Sequence, residues 1–161
     1  MNNKYYSIIQ IVVSSILYAV SIFVLICHVL GYRGAYVIGD SMMPTFRAGS
    51  ICVSKLIDKA YVPHHDDVIC FFPFGEDNDD TLFIKRIIGV EGDILQAKDG
   101  VLTRNGDFVC AHPWIGTWST EVSTGTVFVL GDNYGRSTDS RILGEIPLEN
   151  IHLRICAKII P

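Results

Sequence analysis

The chain of 161 residues holds five cysteines but no Cys-x-x-Cys pair, which removes the usual spacing of zinc and dithiol redox sites. It has no basic stripe. With a net charge of −4 and no recognisable nucleic-acid motif, nucleic acid is not an expected partner. No internal repeat and no low-complexity tract is present, so neither a repeat array nor a disordered polar chain is indicated. The acidic run Glu76-Asp77-Asn78-Asp79-Asp80 lacks the glycine and the terminal glutamate of a calcium-binding loop and reads as a solvated excursion. His64-His65-Asp66-Asp67 reads as a polar turn feeding a strand, because adjacent histidines in a strand point to opposite faces. No metal or cofactor is expected.

One further absence is informative. Ile8 to Leu30 contains no charged residue. At about 1.5 Å per residue, such a helix crosses the roughly 30 Å hydrocarbon core of a bilayer. A cleaved signal peptide carries a shorter apolar region, roughly 7–15 residues, ending in a small-residue site. Here the run continues into Leu30-Gly31-Tyr32-Arg33-Gly34, a poor cleavage site, which favours a retained anchor. Ser14, Ser15, Ser21 and His28 are tolerable within it and are assigned no function. Charge gives little orientation, since Lys4 precedes the span and Arg33 follows it.

Beyond Arg33 the chain becomes short apolar runs separated by turns, the pattern of a β-rich domain. Strands are expected at Tyr36-Val37-Ile38, Ile51-Cys52-Val53, Val68 to Phe72, Leu82-Phe83-Ile84 and Thr126 to Leu130. Asp99-Gly100 and Asn105-Gly106 bracket Val101-Leu102-Thr103 as two-residue hairpin signals. Trp114 and Trp118 are expected to pack the core of that small lobe. Cys52, Cys70 and Cys156 lie in strand-like runs and read as buried free thiols, although the four cysteines outside the apolar run would offer disulfides as the alternative if the domain is exported.

Two residues suggest chemistry. Ser41 precedes Met42-Met43-Pro44-Thr45, where proline fixes φ and keeps its predecessor out of helix, so the turn presents the hydroxyl at a strand end. Lys85 follows the apolar strand Leu82-Phe83-Ile84, where a cation has little reason to be unless its amine is used. A serine and a lysine on neighbouring strands make the Ser-Lys form of nucleophile and general base. Free lysine has a pKa of about 10.4 and is protonated at neutral pH. Burial among Phe83, Ile84, Ile87 and Ile88 would lower that value and make the neutral amine available.

A third segment, Gly131-Asp132-Asn133 followed by Ser137-Thr138-Asp139-Ser140-Arg141, is too rich in turn and charge chemistry to be a strand. With Ser41-Met42-Met43-Pro44-Thr45 and Lys85-Arg86-Ile87-Ile88-Gly89-Val90-Glu91-Gly92-Asp93, it resembles the bacterial type I signal peptidases, from the apolar N-terminus to about Ile151. The resemblance implies a mainly β catalytic domain of the signal-peptidase type, preceded by one N-terminal transmembrane helix. In that layout residues 1–6 are a short cytoplasmic segment, 7–30 the membrane helix and 31–161 the extracytoplasmic peptidase domain, with a small insertion at about 93–125. It also implies that the Ser137 hydroxyl contacts the lysine amine. Asp132, Asp139, Arg141 and Arg86 would brace the site, a role that bidentate Arg–carboxylate pairs suit.

The implied substrates are signal-peptide-bearing preproteins, cut after small residues under an A-x-A rule in the plane of the lipid bilayer. An extended peptide could pair between Tyr36-Val37-Ile38-Gly39 and Leu82-Phe83-Ile84. Ile38, Gly39, Met42, Phe83 and Ile84 are its expected binding residues. In some members a hydroxyl residue two positions before the nucleophile serves the oxyanion hole. Here that position is Gly39, which leaves the Ser41 N–H as one donor and the second unidentified. Two other readings stand beside this one. One is a membrane-anchored β domain that binds extended peptides without cutting them, against which Lys85 argues. The other is a maturation peptidase of the same fold, dedicated to one pilin or transfer protein or related to the mitochondrial inner-membrane enzymes.

Overall fold

The structure, a computed structural model, describes residues 3–74 and 81–160. The acidic run at 76–80 lies outside them. The chain divides into two units, residues 1–33 and 34–161.

The first unit is dominated by helix α1, Asn3–Val29. Its stretch Tyr5–Val29 has a mean hydropathy of 2.5 and no buried residue, long and apolar enough to cross a membrane. Two polar side chains are satisfied locally: the Ser15 and Ser21 hydroxyls donate to the carbonyls of Ile11 and Leu17, one turn back. Gly31, at φ 84°, ends the helix, and the Arg33 guanidinium donates to the His28 carbonyl.

The second unit is built from strands β1 (Tyr32–Tyr36), β2 (Ile51–Leu56), β3 (Val68–Phe71), β4 (Phe83–Val90), β5 (Ile94–Lys98), β6 (Val101–Arg104), β7 (Asp107–Ala111), β8 (Trp118–Glu121), β9 (Thr126–Leu130), β10 (Ile146–Pro147) and β11 (Ile151–Ile160), with a short helix α2 (Ser140–Leu143). They form a seven-stranded sheet, β1-β2-β11-β3-β4-β9-β10, and a four-stranded sheet, β7-β6-β5-β8. The continuous apolar runs of β3 and β9 explain their places inside the large sheet, where nearly every residue is buried. One core cluster joins Ile69, Phe71, Ile87, Val127, Val129, Ile146 and Ile151. A second, around Leu95, Leu102, Ile115, Val122, Phe128 and Leu130, fills the space beneath the small sheet.

The small sheet shows its sequence logic plainly. Asp99, Gly100, Asn105 and Gly106 all have positive φ. Lys98 faces Val101 and Arg104 faces Asp107 across two-residue loops, as the two hairpin signals require. Trp118 stacks on Phe128 with centroids 5.0 Å apart, but Trp114 is 67% exposed, so only one of the two tryptophans packs the lobe as expected.

Other expectations shift. The strand placed at Tyr36-Val37-Ile38 ends at Tyr36, because Gly39 at φ 85° turns the chain and leaves Ile38 85% exposed. All five cysteines are free, with Cys52 and Cys70 buried as expected. Cys156 is exposed, since the far half of β11 leaves the core. His64 to Asp67 forms a turn in which Asp66 has φ 68°, and His65 Nε2 lies 2.6 Å from Asp93 Oδ2. No metal-binding group occurs among the described residues.

Candidate active site

Lys85 sits in β4, paired in register with Ile69 of β3, and is 3% exposed. Phe83, two residues earlier, shares its face of the strand, and the amine stands 5.4 Å from that ring's centroid. Burial pulls the Lys85 pKa down to about 8, against smaller opposing effects of Asp139 and Cys70. Its Nζ lies 2.8 Å from Ser41 Oγ and donates to the Ile84 carbonyl at 2.8 Å. With one N–H held by that carbonyl, the lone pair of the neutral amine is left for the serine proton.

Ser41 lies on a loop between β1 and β2. Met42 and Phe46 anchor the loop in a small cluster with Val37, Cys52 and Val68, and the Phe46 amide bonds the Met42 carbonyl at 2.8 Å. Met42, expected to shape a substrate pocket, is wholly buried there and does not line the cleft. It packs the loop from beneath. The other side of the loop is gripped by the Gly131-Asp132-Asn133 segment. Asn133 N–H donates to the Ser41 carbonyl at 2.9 Å, and Asn133 Nδ2 donates to the Asp40 carbonyl at 3.0 Å. Gly131 lies so close that a methyl group in its place would overlap Ser137 Oγ and stand 2.5 Å from the Ser41 carbonyl oxygen. Asn133 was not singled out from sequence, though its place in the Gly-Asp-Asn turn was the available signal.

The charged residues form two braces. Arg86 grips Asp132 through two bonds, 2.9 and 2.7 Å, and donates to the Asp66 carbonyl. Arg141 grips fully buried Asp139 at 2.8 and 2.9 Å and donates to the carbonyls of Trp114 and Tyr134, while Asp139 also accepts the Gly131 N–H at 3.0 Å. Ser140 is used as well, its hydroxyl accepting the Val129 N–H. Ser137 stands apart. Its hydroxyl is buried and makes no hydrogen bond, so the expected contact with Lys85 is not formed in this structure.

Ser41 and Lys85 open onto a cleft of about 710 Å³, lined on one wall by Tyr36, Ile38 and Gly39 and on the other by Leu82, Phe83 and Ile84. The expected binding residues other than Met42 lie along it.

A family model described as "Signal peptidase, peptidase S26" matches residues 8–159. The chain belongs to this family. It is 32% identical over 128 residues to "Probable signal peptidase I-1" of Synechocystis sp., a match covering 72% of this chain and 65% of that protein. It is 34% identical over 126 residues to "Thylakoidal processing peptidase 1, chloroplastic" of Arabidopsis thaliana, covering 69% of this chain but 37% of that one. The chain thus spans less than two thirds of the length of these two relatives. "Mitochondrial inner membrane protease subunit 1" of Xenopus tropicalis is 31% identical, covering 81% of this chain and 71% of that one. Among solved structures, a signal peptidase I from Enterococcus faecalis V583 is 26% identical with a TM-score of 0.49, covering 56% of this chain and 94% of that chain. In this member of peptidase S26, the three sequence segments that suggested the family meet at Ser41, which touches Lys85 and whose carbonyl accepts the Asn133 N–H.

Proposed function

We propose that this chain is a membrane-bound serine endopeptidase that removes N-terminal signal peptides from exported preproteins, with Ser41 as nucleophile and Lys85 as general base. The carrying observation is the 2.8 Å contact between a hydroxyl and an almost fully buried amine. A domain that only binds peptides has no use for that amine, whose burial destabilises its protonated form by roughly 3 kcal/mol relative to an ordinary lysine.

Neutral Lys85 takes the Ser41 proton as Oγ attacks the substrate carbonyl, giving a tetrahedral oxyanion. The Ser41 N–H, which has no acceptor among the described residues, faces that charge, while Gly39 supplies no side-chain donor. Protonated Lys85 passes its proton to the leaving amine, the mature protein departs, and an acyl-Ser41 ester remains. Water, deprotonated by the same amine, then hydrolyses the ester. The unbonded Ser137 hydroxyl is assigned to orient the amine during this cycle.

An extended signal-peptide end pairs with the backbones of residues 36–39 and 82–84, and the cleft selects small side chains before the cut. Helix α1 tethers the enzyme in the bilayer that holds its substrate, with the N-terminus cytoplasmic and the catalytic domain on the extracytoplasmic face.

The deciding experiment incubates the detergent-solubilised chain with a preprotein and reads the cleavage position by mass spectrometry. Cleavage after a small residue at the signal-peptide boundary, absent with Ser41→Ala, is the expected result. Intact preprotein under conditions where the chain is folded would refute the reading.

A further inference from the structure

Three arginines surround the site, and they are used differently. Arg86 and Arg141 are each committed to a carboxylate. Arg136 is not. It is exposed, lines the cleft, and its guanidinium makes no hydrogen bond or ion pair among the described residues. Only its backbone is fixed, the Arg136 N–H donating to the Asn133 carbonyl at 2.9 Å in the turn that grips Ser41. Apart from Lys85, the charged groups lining this cleft among the described residues are Asp40 and Arg136.

The two apolar edges, 36–39 and 82–84, accommodate the signal side of the peptide in the reading above. Arg136 belongs to neither edge. It follows Asn133 in the turn that holds the Ser41 carbonyl and lines the same cleft as Ser41, so the part of the substrate beyond the cut is the part left to meet it. We infer that Arg136 is a specificity-determining residue that favours substrates with an acidic side chain in the first few positions after the cut. This rests on the peptidase reading. Asp40, which lines the same cleft, adds to the selection, because it repels an acidic side chain and leaves Arg136 as the group that accepts one.

The test uses the full chain in detergent and peptides of one cleavable sequence with Glu, Gln or Lys at each of the first three positions after the cut. The wild type should show a Glu-to-Lys ratio in kcat/KM of about threefold to fivefold, the range an exposed ion pair supports. In Arg136→Gln the ratio should fall to near one, and in Arg136→Glu it should invert. Raising salt from about 0.05 to 0.5 M should compress the wild-type ratio, since screening shortens to a few ångströms. A ratio unmoved by Arg136→Glu overturns the inference. So does a ratio that moves only for charges placed before the cut. If the wild type cleaves none of the peptides or preproteins, the peptidase reading itself has failed and the inference falls with it.

Discussion

Ser41 and Lys85 touch, yet the protein holds them by opposite means. Lys85 is part of a strand in the interior of a seven-stranded sheet, with its backbone in register and its side chain shut away from water. Ser41 rides a loop that no ladder supports, anchored below by Met42 and Phe46 and clasped above by Gly131 and Asn133. The difference suits the role proposed for each. A base needs a fixed, dry environment because its surroundings set its pKa. A nucleophile must meet an incoming chain, so it needs an open position held at few points.

Removing the two groups in turn should expose that contrast most strongly. Ser41→Ala and Lys85→Met should each reduce cleavage by at least about a thousandfold, but their stabilities should diverge. The serine change should stay within about 1 kcal/mol of wild type, since it removes one hydroxyl. The lysine change should stabilise the fold at pH 7 by roughly 2 kcal/mol, because it relieves a buried amine of its desolvation and gives back one or two hydrogen bonds. Denaturant melts of both variants would show this, and a destabilised Lys85→Met would break the contrast.

Next in size is the clasp. Gly131→Ala has no room beside Ser137 and the Ser41 carbonyl, so the loop must move. Activity should fall about a hundredfold, with roughly 1–3 kcal/mol lost to overpacking. Near-normal turnover by this variant would mean the loop is not held from above.

The pH profile reads the base alone. Below about 8, kcat/KM should rise close to tenfold per pH unit as Lys85 loses its proton, then level off. Stability follows with a definite sign. The folded pKa is lower than the unfolded one, so between about pH 8 and 10.5 the unfolded chain binds more protons and stability rises with pH. The advantage of Lys85→Met is therefore full below pH 8 and fades towards 10.5. A profile that falls from pH 6 to 8 contradicts the assignment.

The smallest effect belongs to Asn133→Ala, which deletes the side-chain bond to the Asp40 carbonyl and keeps the backbone bond. About fivefold lower kcat and about 1 kcal/mol of stability are expected, with the pH midpoint unchanged because Lys85 is untouched. A shifted midpoint would show that nucleophile and base are not separately held.

Much of this was legible in the sequence because local chemistry dictated it. The charge-free N-terminal run gave the helix, alternating apolar runs gave the β-rich domain, and Asp-Gly and Asn-Gly gave both hairpins. Ser41 and Lys85 were visible because a lysine after an apolar strand is costly and calls for a reason. Met42, Trp114 and Asn133 were less legible. Whether a methionine beside a nucleophile faces the cleft or the core depends on a turn that Gly39 and the cluster beneath the loop decide together. The outward position of Trp114 and the clasp by Asn133 arise from contacts between segments far apart in the chain, which no local pattern encodes.

The position of β11 has a consequence for how the molecule comes into being. This strand lies between β2 and β3, so residues 151–160 form the seam that joins the Ser41 side of the sheet to the Lys85 side. Until they are supplied, β2 has no bridge to β3, and the partners of the site belong to two unfinished halves. Pairings of such long sequence separation form slowly. The sheet that carries both Ser41's loop and Lys85 therefore cannot close piecemeal as the chain emerges, but only once residues 151–160 are in place between β2 and β3.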